Sequence, residues 1–144
     1  TGLDLVRLQL RVAAGDALDI DPKSAAQPNC HAIEHRINAE DPSRGFAPCP
    51  GTVAEWVVPG GPGVRVDTHL YPGYTVPPDY DSLVAKLICF GKDRAAALER
   101  ADRALSEFTI SGIDTTIPFH RKVLAHEAFR SGRVHTGFIE EMNS

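Results

Sequence analysis

An α+β domain, with a mostly antiparallel sheet and helices flanking it, is the architecture implied by the hydrophobic pattern of this chain. Three stretches carry the inference. Around Arg36 the sequence HAIEHRINAE alternates strictly. His31, Ile33, His35, Ile37 and Ala39 share one face, and Glu34, Arg36, Asn38 and Glu40 share the other. LVAKLICF is a nearly continuous apolar run closed by Gly91, the pattern of a buried strand. RAAALERADRALSEF repeats Leu98, Ala101, Leu105 and Phe108 at helical spacing, with arginines and glutamates on the opposite face. At 144 residues, 42% of them hydrophobic, the chain has material for one domain with its own core.

The other elements follow in order. TGLDLVRLQLRVAAG reads as a helix: Thr1 and Asp4 suit a capping box, Leu3, Val6, Leu10 and Ala13 recur at helical spacing, and Gly15 stops it. Residues 16–29, with two prolines and several small residues, read as a linker. PSRGFAPCPG is a proline-rich connection after the Arg36 strand. TVAEWVV (52–58) and VRVDTH (64–69) read as strands, and PGGPG between them implies a β-hairpin. LYPGYTVPPDYDS is a structured loop.

Asp93 is a good N-cap for the amphipathic helix. SGIDTTI makes a short extended segment. Pro118 suits the first turn of a helix running through FHRKVLAHEAF and ended by Gly132. A last short helix follows Thr136, with Phe138, Ile139 and Met142 as docking residues.

Composition and motifs exclude several functions. A net charge of -4 without a block of like charges gives no nucleic-acid surface, and no apolar run is long enough to span a bilayer. Cys30, Cys49 and Cys89 lack framework spacing, which favours free thiols in a reducing compartment and a cytoplasmic protein. Cys30, His31 and His35 have no second cluster at zinc spacing, so the histidines read as packed residues and no metal site is expected. PGGPG leads into a strand, so it is no phosphate loop at a helix N-terminus, and no nucleophile motif surrounds Ser82.

The Arg36 row is different in kind. A guanidinium is permanently charged and offers a planar fork of donors suited to a carboxylate, a phosphate or a developing oxyanion. Glu34 and Asn38 flank it at i−2 and i+2, positioned to support it. Pattern alone favours a solvated salt-bridge face over a ligand-binding one, and leaves both open.

The run HAIEHRINAEDPSRGFAPCPGTV, with the later YPGYTVPPDYDS segment and its continuation, closely resembles the C-terminal domain of biotin carboxylase. The resemblance covers essentially the whole chain, with residues 1–29 as helix and linker and about 30–141 as family core. It implies the last domain of an ATP-grasp enzyme that charges biotin, on its carrier protein, using ATP and bicarbonate with Mg2+ or Mn2+. The arginine of the E-x-RIN motif falls on Arg36, which the family uses to contact biotin and bicarbonate and to stabilise the ureido oxygen anion. Pro62 and Arg65 fall in the family's homodimer contact, where a bulky apolar residue often stands in place of Pro62. His35 stands where a cysteine is common and reads as a packing substitution.

The family's catalytic MN-x-R-x-QVEH segment, its glycine-rich lid and its adenine site would all precede Thr1. The chain begins without Met, so it is expected to be a piece of a longer protein, inactive by itself and binding no cofactor alone. An ending at Ser144 suits a separate subunit like that of bacterial acetyl-CoA carboxylase, and hence fatty acid biosynthesis. Propionyl-CoA, methylcrotonyl-CoA, pyruvate and urea carboxylases commonly continue into further domains. A purely structural or dimerisation module is the alternative. The implied partners are the rest of the biotin carboxylase chain, a second copy, the biotin carboxyl carrier protein and a carboxyltransferase.

Overall fold

The computed structural model describes residues 1–142; Asn143 and Ser144 lie outside the described residues. In chain order the elements are α1 (Leu5–Ala13), α2 (Pro22–Ala25), β1 (His31–Asn38), β2 (Glu40–Asp41), a 3-10 turn at Pro42–Arg44, β3 (Ala47–Pro48), β4 (Gly51–Thr52) and β5 (Glu55–Val57). They continue as β6 (Val64–Thr68), β7 (Thr75–Val76), β8 (Leu83–Gly91), α3 (Arg94–Glu107), β9 (Thr109–Ser111), α4 (Ile117–Ala125), α5 (Glu127–Arg130) and α6 (Phe138–Met142).

The alternation around Arg36 becomes β1, and the apolar run becomes β8, the central strand of a three-stranded sheet ordered β1-β8-β6. Both pairings are antiparallel, so the fold is α+β as the pattern implied. One face of this sheet buries Ile33, Ile37, Leu87 and Cys89. Against it lies α3, whose Leu98, Ala101 and Leu105 are buried as their spacing predicts. The Asp93 carboxylate accepts the Ala96 N–H at 2.8 Å and sets where α3 begins. Gly91 permits the helix to come this close: a Cβ there would lie 2.8 Å from both Ala96 Cβ and Ala97 N.

The expected hairpin does not form. The predicted strand at 52–58 is two short strands, β4 paired with β7 and β5 with β9, while β6 pairs with β8. The break comes where the backbone changes partner: Val53 N–H donates to Tyr74 O (2.9 Å) and Ala54 N–H to Ser111 O (2.8 Å). PGGPG is therefore a connection between separate sheets.

Other boundaries also moved. The first helix is capped by Asp4, which accepts from Arg7 N–H at 2.9 Å, while Thr1 accepts from Leu3. None of its residues is buried, so Val6 and Leu10 face outward instead of packing on the sheet. The helix after Pro118 stops at Ala125 because His126 takes an extended conformation and caps α5, its Nδ1 accepting from Ala128 N–H at 3.2 Å. In α6, Phe138 is buried and meets His126 and Phe129, whereas Ile139 is exposed and does not dock.

Candidate active site

Strand alternation buries His35 and Ile37 and turns Glu34 and Arg36 outward. Register across the sheet places Arg36 opposite Lys86, and Lys86 opposite Asp67. The adjacent row is Glu34, Ile88 and Arg65. Two cations thus occupy directly facing positions, an arrangement that is unfavourable by itself and raises the potential felt by an anion on this face. Arg65 and Asp67 form a two-pronged pair, with Nε–Oδ1 and Nη2–Oδ2 both at 2.8 Å. That hydrogen bonding holds the Asp67 carboxyl below the usual carboxylate range, with Lys86 adding to it.

The Arg36 guanidinium is about half exposed and lies 3.9 Å from Asp81, Nη2 to Oδ2. The other Asp81 oxygen, Oδ1, accepts the Leu83 N–H at 2.9 Å, which ties the carboxylate to the entrance of β8. Beside it, Ser82 Oγ donates to Glu40 Oε1 at 2.5 Å, and Asn38 Nδ2 donates to the same oxygen at 3.0 Å. The Ala39 N–H donates to Ser82 O at 2.7 Å. These bonds lash the end of β1 to the segment carrying Asp81. Local alternation shows none of this, because Asp81 is distant in sequence; its only signal is its place in the YDS stretch.

Glu34 and Asn38 do not support the guanidinium as expected. Glu34 is exposed on the same face, but the ion pair of Arg36 among the described residues is with Asp81. The Asn38 side-chain amide is spent on Glu40 instead. The backbone N–H of Asn38 donates to Thr116 Oγ1 at 3.0 Å, and its Oδ1 is buried without a partner among the described residues.

The outer edge of β1 is bonded to α4. Arg36 O accepts from Thr116 Oγ1 at 3.1 Å and contacts His120 Nε2 at 2.8 Å, where the ring must donate because a carbonyl only accepts. Beneath the strand the His120 ring meets His35 edge-on, centroids 5.0 Å apart. Burial, reinforced by His120, pushes His35 down to about 3, so it is a neutral imidazole, and its Nε2 has no partner among the described residues.

The remaining candidates are placed plainly. His31 Nε2 accepts from Arg94 Nη1 at 3.0 Å, so its ring is engaged in packing α3 against β1. Among the described residues no group of three His, Cys, Asp or Glu side chains could hold a metal ion. Cys30 is exposed, Cys49 partly buried and Cys89 buried, all free, and burial pushes the Cys89 thiol up to about 11. No helix among the described residues is long and apolar enough to cross a membrane. Pro62 and Arg65 are both exposed, the first before β6 and the second on it.

Residues 34–141 match the model of the biotin carboxylase C-terminal domain. Biotin carboxylase 1 of Bacillus subtilis is 52% identical over 97% of this chain and 31% of its own length. A pyruvate carboxylase subunit of Methanothermobacter thermautotrophicus is 51% identical over 98% of the chain and 28% of its own length. The biotin carboxylase domain of Hydrogenobacter thermophilus 2-oxoglutarate carboxylase, solved as a dimer in complex with MgADP, ADP and bicarbonate, superposes with a TM-score of 0.93 at 43% identity, covering 99% of this chain and 31% of that one. The chain spans about a third of the length of the curated relatives it matches. With the sheet, the flanking helices and these matches in agreement, the chain belongs to the biotin carboxylase C-terminal domain family.

Proposed function

We propose that this chain is the part of an ATP-dependent biotin carboxylase that presents Arg36 to biotin and bicarbonate. The observation that carries the reading is the guanidinium itself: half exposed, loosely paired with Asp81, and rooted in a strand whose backbone is bonded on both edges. When a ureido nitrogen gives up its proton, negative charge gathers on the ureido oxygen. A guanidinium already fixed there stabilises that charge without having to reorganise. The same fork suits the planar bicarbonate anion, and Lys86 adds positive potential beside it. The bicarbonate held by the Hydrogenobacter relative supports this assignment.

ATP and its Mg2+ or Mn2+ belong, on this reading, to segments outside this chain, and the chain alone carboxylates nothing and binds no nucleotide. PGGPG supports this, since it leads into strand β6 and not into the N-terminus of a helix. The carrier protein brings biotin, a second copy meets the surface around Pro62 and Arg65, and a carboxyltransferase consumes the product. We further propose bacterial acetyl-CoA carboxylase, and so a cytoplasmic setting, as the context. The pyruvate carboxylase relative is nearly as similar as the biotin carboxylase one, so assay with each acceptor system discriminates the two.

The test is Arg36→Lys in the full-length protein, which keeps the charge and removes the fork. Biotin carboxylation should fall at least about tenfold, with bicarbonate-dependent ATP cleavage falling less. Equal loss of both activities would contradict a role centred on biotin.

A further inference from the structure

Three backbone groups at the end of β1, Arg36 O and the N–H and O of Asn38, are claimed by the start of α4. Thr116 is the N-cap residue of that helix, yet its hydroxyl makes no capping bond to the helix. Instead Oγ1 accepts from Asn38 N–H at 3.0 Å and donates to Arg36 O at 3.1 Å, while Thr116 N–H donates to Asn38 O at 3.1 Å. One helical turn later, His120 Nε2 donates a second bond to Arg36 O at 2.8 Å. The helix start thus acts as a surrogate neighbouring strand.

This clamp falls where the sheet supplies least order. The pairing of β1 with β8 shifts register between Ile37 and Asn38, and a bulge of this kind turns the side chains around it. The clamp is itself braced. The His120 ring lies edge-on to buried His35, and Phe119 meets Phe46 edge-on with centroids 4.9 Å apart. Burial depresses the His120 pKa, which keeps the ring neutral, with one N–H to donate.

We propose that His120, together with Thr116, is a positioning residue for Arg36, holding its peptide so that the guanidinium points at the reacting groups. This rests on the reading of Arg36 above. The reach of the side chain makes the carbonyl bond consequential: a tilt of about 10° at Cα moves a group roughly 6 Å away by about 1 Å, and misplacement on the order of 1 Å can cost up to about 10²-fold in rate.

The experiment uses the full-length protein with His120→Ala, His120→Asn, His120→Gln, Thr116→Val and Arg36→Ala. Biotin carboxylation and bicarbonate-dependent ATP cleavage are measured alongside the thermal midpoint. His120→Ala and Thr116→Val should lower the kcat of carboxylation about 10- to 100-fold, with a smaller fall in ATP cleavage and little change in the KM for ATP. His120→Gln, whose amide N–H can reach the same carbonyl, should recover at least a third of the wild-type rate. His120→Asn, one methylene shorter, should not, which keeps the test decisive if the alanine variant does not fold. Wild-type carboxylation by His120→Asn, or equal loss of both activities in His120→Gln and His120→Asn, overturns the positioning role. Wild-type carboxylation by Arg36→Ala overturns the reading beneath it instead.

Discussion

The Arg36 guanidinium meets the Asp81 carboxylate at 3.9 Å with both side chains more than half exposed, while the opposite oxygen of Asp81 is fixed by the Leu83 N–H. Such a solvated pair contributes little to stability, on the order of 0–1 kcal/mol. What it can do is orient. Asp81→Ala should therefore lower the unfolding free energy read from urea titration by less than about 0.5 kcal/mol, yet lower biotin carboxylation in the full-length protein about tenfold or more. Unfolding curves and rates on the same preparation check this, and a large stability loss would assign Asp81 a structural role.

His35 makes the fold sensitive to acid. Its pKa is depressed to about 3 in the folded state, from an ordinary value near 6.5. Below pH 6.5 the unfolded chain takes up a proton that the native one refuses, so the stabilisation is complete above about 6.5 and is lost as pH falls toward 3. The slope is about 1.4 kcal/mol per pH unit for one such group, or roughly 2 kcal/mol between pH 6.5 and 5. His120, depressed in the same direction, adds to it. His35→Leu should flatten the dependence, as denaturant titrations at pH 7, 6 and 5 would reveal; an unchanged slope would rule out His35 as its source.

Gly112 joins β9 to the segment that leads into α4 at φ +92, and a Cβ there would lie 2.1 Å from Thr52 O. Neither backbone can give way without breaking the pairing of β4 or β5. Gly112→Ala should cost about 2–4 kcal/mol from the left-handed conformation and the clash together. Chemical denaturation measures it, and a loss under about 1 kcal/mol would mean the segment relaxes freely.

Pro62 and Arg65 are proposed to meet a second copy of the protein. Pro62 is exposed, and Arg65 is held by Asp67 on its own strand, so the arginine is already oriented. Pro62→Phe adds apolar area and should tighten dimerisation of the full-length protein about tenfold, equivalent to burying roughly 50 Å² more apolar surface. Arg65→Ala should weaken it. Sedimentation equilibrium reads both, and two unaffected dimer constants would remove this surface from the contact.

The elements legible in the sequence are those whose signals are local. The β1 alternation, the apolar β8 and the Asp93-capped α3 all formed where their patterns put them. The hairpin failed because turn chemistry at PGGPG says nothing about partners, and β6 finds β8 across the whole tyrosine-rich loop. The helix break at His126 carried no glycine or proline to announce it. The site divides in the same way. Arg36 was legible through its fork chemistry and the resemblance around it. Asp81, Thr116 and His120 reach it only through tertiary folding, and spacing along a strand does not guarantee the contacts expected of Glu34 and Asn38.

The most direct measurement of the central claim is the rate of biotin carboxylation by full-length protein carrying Arg36→Ala. Removing one preorganised donor from a developing oxyanion costs on the order of 10²–10³ in rate, and that loss is predicted here with folding intact. A rate within about threefold of wild type, equivalent to about 0.65 kcal/mol of transition-state stabilisation or less, would contradict the account.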